Sequence, residues 1–104
     1  MHSLLAGKRD ALAELCRRHG VARLDAFGSV ARGTDFDPQR SDADLLVEFD
    51  PQADGLLNFL DFKEALEALL GLSVDLVERQ AVEASRNTIR RRRILAESEQ
   101  LYAA

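Results

Sequence analysis

Apolar positions follow two rhythms along the chain, and the changes of rhythm mark its elements. Over residues 3–19, Leu5, Leu12, Leu15 and Cys16 recur at helical spacing. Arg17, Arg18 and His19 crowd the last turn and Gly20 follows, which is a helix stop. The helix dipole accounts for His19 better than catalysis does. Val21 and Ala22 then lead into a short strand, Leu24-Asp25-Ala26-Phe27, that ends at Gly28. Gly28-Ser29-Val30-Ala31-Arg32-Gly33 reads as a turn and a short helical piece, and a polar loop covers residues 34–41. Residues 42–49 carry the strongest strand pattern, which Asp50-Pro51 closes. A second helix fits residues 56–70, with Phe59, Phe62, Leu66, Leu69 and Leu70 on one face and Gly71 at its end. Residues 73–77 alternate as a third strand. A final helix is predicted over residues 81–101, with Ile94, Leu95, Leu101 and Tyr102 as its packing stripe. The order α-β-α-β-α-β-α predicts a small α/β sheet with flanking helices, in a single domain over residues 1–104.

Composition narrows the function. With 46% hydrophobic and 31% charged residues, the chain has the balance of a globular protein rather than a disordered tail. Its net charge of −4 disfavours nucleic acid as the main partner, because phosphate contacts usually call for a basic surplus. The lone Cys16 excludes an internal disulfide and a cysteine metal cluster, and its place on the apolar side of a helix makes it core filler. No apolar run is long enough to span a membrane and the first residues lack a signal-peptide core, so the expected location is cytoplasmic.

The chemistry converges on Gly28-Ser29, the pair Asp42 and Asp44, and Asp75. Two carboxylates two positions apart on a strand project from one face, where each raises the other's pKa. A cation between them relieves that repulsion, and hard carboxylate oxygens suit Mg²⁺. Asp75, on the other strand that can lie beside the pair, would supply a third carboxylate. Two metals then become feasible, the arrangement used for in-line displacement at phosphorus. Asp75 is flanked by Val74 and Leu76, where an unpaired charge would be costly. Gly28 lets the backbone approach an anion, Ser29 offers hydroxyl and N–H donors, and Arg32 one turn on can add a cation. Taken singly, each has an ordinary explanation: a turn, a solvated strand edge, an exposed strand residue. Other motifs fail. Counting from Asp35, Arg40 and Leu46 stand where a calcium loop needs Gly and Glu, and Thr34 stands where a P-loop needs lysine.

These residues resemble a known family. Gly28-Ser29-Val30-Ala31-Arg32-Gly33, then Ser41-Asp42-Ala43-Asp44-Leu45-Leu46-Val47, then Val74-Asp75-Leu76-Val77, are similar to the minimal nucleotidyltransferase branch of the polymerase-beta-like superfamily. Members are often the antitoxin half of a toxin–antitoxin pair whose toxin is a HEPN-domain ribonuclease. The resemblance implies a small mixed sheet with flanking helices, and AMP transfer from ATP to a tyrosine of the toxin, silencing it. It implies that Gly28 and Ser29 bind the triphosphate and that Asp42, Asp44 and Asp75 hold Mg²⁺. Asp75 would also help to activate the attacking hydroxyl, and Arg32 would contact phosphate or shape the turn. The toxin would be the partner, in an oligomer with this chain. The stretch from Val30 to Ser41, twelve residues, is longer than the family's usual spacing. The surplus falls in the polar loop, where insertion is tolerated.

Two features stand outside this scheme. Arg90-Arg91-Arg92-Arg93 is the strongest charge run; a solvated face with a buried stem explains it, and a contact surface for an acidic partner or for nucleotide phosphates is the alternative. Tyr102, the only tyrosine, is assigned to packing, with self-modification as the alternative. Two other functions compete: an antitoxin that acts by contact without chemistry, and a nucleotidyltransferase for a small molecule. A pure binder has no reason to keep a costly acidic cluster, and 104 residues leave little chain for a small acceptor's own pocket.

Overall fold

The computed structural model describes residues 3–33, 37 and 42–104, with the side chains of Ser3 and Leu4 left aside. The polar loop expected over residues 34–41 therefore lies, Asp37 excepted, outside the described residues. The elements run α1 (Ser3–Ala6), α2 (Arg9–Arg18), β1 (Val21–Phe27), α3 (Gly28–Arg32), β2 (Ala43–Phe49) and α4 (Leu56–Leu70). After these come β3 (Val74–Glu78), α5 (Arg79–Glu83), α6 (Thr88–Glu97) and β4 (Glu99–Ala103). The four strands form one mixed sheet in the order β3-β2-β1-β4. β1 runs antiparallel to both β2 and β4, and β2 runs parallel to β3. The α4 crossover makes that parallel pair possible, since a tight turn cannot reverse the chain twice.

Alternation along the strands gives the sheet two faces. Leu24, Ala26, Leu45, Val47, Val74 and Leu76 point to one side, where they pack with Leu12 and Cys16 of α2 and with Phe62, Leu66 and Leu70 of α4. The opposite side carries a smaller cluster of Phe27 and Leu46 with Val82 of α5 and Ile94 of α6. Leu5 and Leu12 are fully buried, as the helical spacing predicted, although the first helix breaks at Gly7-Lys8 into α1 and α2.

The C-terminal region differs from the sequence expectation. The single helix expected over residues 81–101 is instead α5, a break at Ser85-Arg86-Asn87, α6, and then β4. Leu101 and Tyr102 are strand residues on the outer edge of β1, Tyr102 paired with Leu24 and Leu101 at the register shift between Leu24 and Asp25. The break has a local cause: the Asn87 side chain caps α6 by accepting from the Arg90 N–H at 3.0 Å. β4 has a tertiary cause. Without it β1 would present a bare edge, and the ladder satisfies those backbone groups.

Candidate active site

The topology gathers the predicted residues at one end of the sheet. Because β1 is antiparallel to β2, its last residue lies beside the start of β2: Phe27 pairs with Asp44. Because β2 is parallel to β3, Asp44 pairs directly with Asp75. Gly28, immediately after Phe27, opens α3 at the same corner. Asp42 sits just before β2 and is exposed, Asp44 is half-buried, and Asp75 is exposed. Asp44 and Asp75 share the sheet face of Phe27 and Leu46, opposite the larger core.

Gly28 fits this corner for two reasons. Its φ of +67° is the left-handed conformation that side chains disfavour. A Cβ there would also stand 2.6 Å from Oδ2 of Asp44, so the turn and the carboxylate are already in contact. Ser29 is half-buried in the first turn of α3, and its carbonyl accepts the Gly33 N–H at 2.8 Å.

The carboxylates perturb one another. The Asp44 carboxyl is pushed up to about 6, first by burial, then by the charges of Asp75 and Asp42 and a side-chain hydrogen bond with Asp75. The charge of Arg32 works against these effects. Arg32 itself is turned to α6, where Nη1 donates to Oε2 of Glu97 at 2.9 Å. The pair braces α3 against α6.

Asp44 and Asp75 are suited to a divalent cation: an all-oxygen pair at facing register positions, whose mutual repulsion bound charge would relieve. Among the described residues no three His, Cys, Asp or Glu side chains form a closed metal cage. Mg²⁺ typically takes one or two protein carboxylates and completes its shell with water and phosphate oxygens.

One expectation about Asp75 needs correction. Val74 and Leu76 are buried, but Asp75 points to the other side and is exposed, so no burial cost attaches to it. The buried carboxylate is Asp25, on β1 and fully inaccessible. Its Oδ1 accepts from Nε of Arg23 at 3.0 Å and its Oδ2 from Nη2 of Arg79. Asp25 pairs with Leu46, two residues along from Asp44, so this ion cluster lies directly behind the acidic corner. Sequence reasoning passed over Asp25, although a charge inside Leu24-Asp25-Ala26-Phe27 is the same signal that was credited to Asp75.

Comparison with known proteins places the chain and its fold. Residues 8–98 match the nucleotidyltransferase domain family. The protein adenylyltransferase MntA of Thermococcus cleftensis is 44% identical over 71 residues, covering 68% of this chain and 69% of the relative. A solved structure described as a minimal nucleotidyltransferase superposes with a TM-score of 0.74 at 39% identity, covering 95% of each chain. An MntA chain from a toxin–antitoxin crystal structure gives a TM-score of 0.63 at 25% identity, over 91% of this chain and 72% of that one. With residues 8–98 matching the family and the whole fold superposing on a minimal nucleotidyltransferase, the chain belongs to the nucleotidyltransferase domain family, among its minimal members.

Proposed function

We propose that the chain is a protein adenylyltransferase of the antitoxin type, moving AMP from ATP to a tyrosine hydroxyl of a HEPN-domain toxin and so neutralising it. The observation that carries this is the corner itself: Asp44 paired with Asp75, with the Gly28 turn pressed against Asp44. The likeness to MntA supports a protein as the acceptor.

Each residue then has a task. Gly28 and Ser29 take the triphosphate, since the turn puts no side chain at Gly28 and brings hydroxyl and N–H donors. Asp42, Asp44 and Asp75 hold Mg²⁺, which when bound neutralises phosphate charge and polarises the reacting phosphorus. The acceptor hydroxyl oxygen attacks the α-phosphorus, the bond to the bridging oxygen breaks, and pyrophosphate leaves. Asp75 is exposed and can face an incoming acceptor, so its carboxylate receives the hydroxyl proton and passes it to water. Arg32, held by Glu97, keeps α3 aligned.

The test is transfer of label from α-labelled ATP with Mg²⁺, using the neighbouring-gene product as acceptor and D42N/D44N as control. Label on the partner, lost in the control, is the expected result. No label with the complex intact would favour neutralisation by contact alone. Label on an added aminoglycoside instead would favour a small-molecule acceptor.

A further inference from the structure

The arginine run was left unexplained by the site. Residues 79–97 hold six arginines and two glutamates, a net of +4, while the rest of the chain carries −8. The charge is therefore segregated onto α5 and α6. Within α6 the four arginines divide. Ile94 is buried against the sheet, and Arg91 is committed to packing, its Nη1 donating to the carbonyls of Glu83 and Ser85 at 3.4 and 3.3 Å. On the opposite side, Ile89, Arg92, Arg93 and Ala96 follow at i, i+3, i+4 and i+7, and all four are exposed. Ile89 is 80% exposed. Arg92 and Arg93 make no hydrogen bond or ion pair with any described residue.

A solvated face does not need a bare isoleucine beside two unpaired guanidinium groups. Arginine with an exposed aliphatic side chain is the composition of a protein-binding patch. A nucleic-acid surface would add aromatic stacking, and residues 79–97 contain no aromatic residue.

We infer that the Ile89–Arg92–Arg93–Ala96 face of α6 is the docking surface for the acceptor protein, and that the acceptor meets it with a carboxylate-rich face carrying a small apolar contact. This rests on the acceptor being a protein, as proposed above. The placement suits delivery. The last turn of α6 holds Arg32 through Glu97, and Arg32 closes the short helix that Gly28 opens. A partner seated on α6 is thereby fixed relative to the acidic corner.

The experiment compares wild type, R92E/R93E and D42N/D44N, each with the neighbouring-gene product, reading complex formation by calorimetry and label transfer separately. Neither reversed arginine has a partner to lose, and thermal melting of R92E/R93E checks that it folds. The expected result is a loss of affinity of about 100-fold in R92E/R93E. Transfer should fall in parallel at low acceptor concentration and recover at high concentration. Wild-type affinity should weaken as salt rises. D42N/D44N should bind normally and transfer nothing. If wild type and R92E/R93E both bind but neither transfers, docking elsewhere is indicated and the function reading fails as well. If wild type binds without transfer and R92E/R93E does not bind, docking stands and the chemistry alone fails. Equal binding and transfer by R92E/R93E would overturn the docking surface, as would absence of any wild-type complex. A single-stranded RNA 20-mer retarded by wild type but not by R92E/R93E would also overturn it, in favour of nucleic acid. So would self-association of the chain alone, lost in R92E/R93E, in favour of a second copy.

Discussion

At the scale of single residues, the acidic corner is a set of conflicts held in place by neighbours. Gly28→Ala adds a methyl 2.6 Å from Asp44 in a left-handed conformation. It should cost about 1–3 kcal/mol of stability, read by urea unfolding, and lower transfer by roughly 100-fold through misplacement of Asp44. In metal-free protein Asp44 holds its proton up to about 6, more tightly than an unfolded aspartate does. Its protonation thus favours the fold below the unfolded value, and that advantage is lost as pH rises through about 6. Metal-free unfolding free energy should fall by about 1–2 kcal/mol between pH 4 and 7, allowing for solvent screening of a half-buried group. Asp44→Asn should abolish most of that slope, and denaturant melts at a series of pH values would show it. Asp25→Ala, by contrast, leaves the largely buried Arg79 with only the more distant and exposed Glu83 as counter-ion, and should cost about 2–4 kcal/mol. The corner was legible because its residues are close in sequence to turns and strand starts. Asp25 was not, because its partner Arg79 is distant in sequence and only the sheet brings the two together.

At the scale of elements, hydrophobic period identified α4 to the residue, since Phe62, Leu66 and Leu70 mark one buried stripe between two glycines. It identified β2 and β3 within a residue at each end. It failed over residues 98–104, where Leu101 and Tyr102 extend a plausible helical stripe and nothing local forbids it. There the open edge of β1 decides, a tertiary effect that overrides local preference. The expectation of one helix over residues 81–101 also ran through the cap at Asn87: Asn87→Ala should cost about 1 kcal/mol and fray the first turn of α6, visible as faster amide exchange there. Leu101 is buried in the larger core, so Leu101→Ala should cost about 2–4 kcal/mol in chemical denaturation. A purely helical packing role on the exposed end of a C-terminal helix would predict far less.

At the scale of the whole molecule, the sheet separates two tasks. One face is sealed by α2 and α4 and holds the larger core; the other is thinly covered by α5 and α6 and leaves its end to the acidic corner. Cys16 lies inside the sealed side, where burial pushes its thiol up to about 12. A thiol reagent at pH 8 should therefore label native protein only at the rate of global opening, and wild type and Leu101→Ala should differ in that rate. The pairing of β4 with β1 also has a bearing on synthesis. During translation the outer edge of β1 waits for a partner until Ala103 emerges, 76 positions after Phe27. At ordinary elongation rates that wait lasts about 4 to 15 s. A slow codon anywhere in the interval lengthens the time for which a growing chain can pair wrongly with its neighbour on the same message.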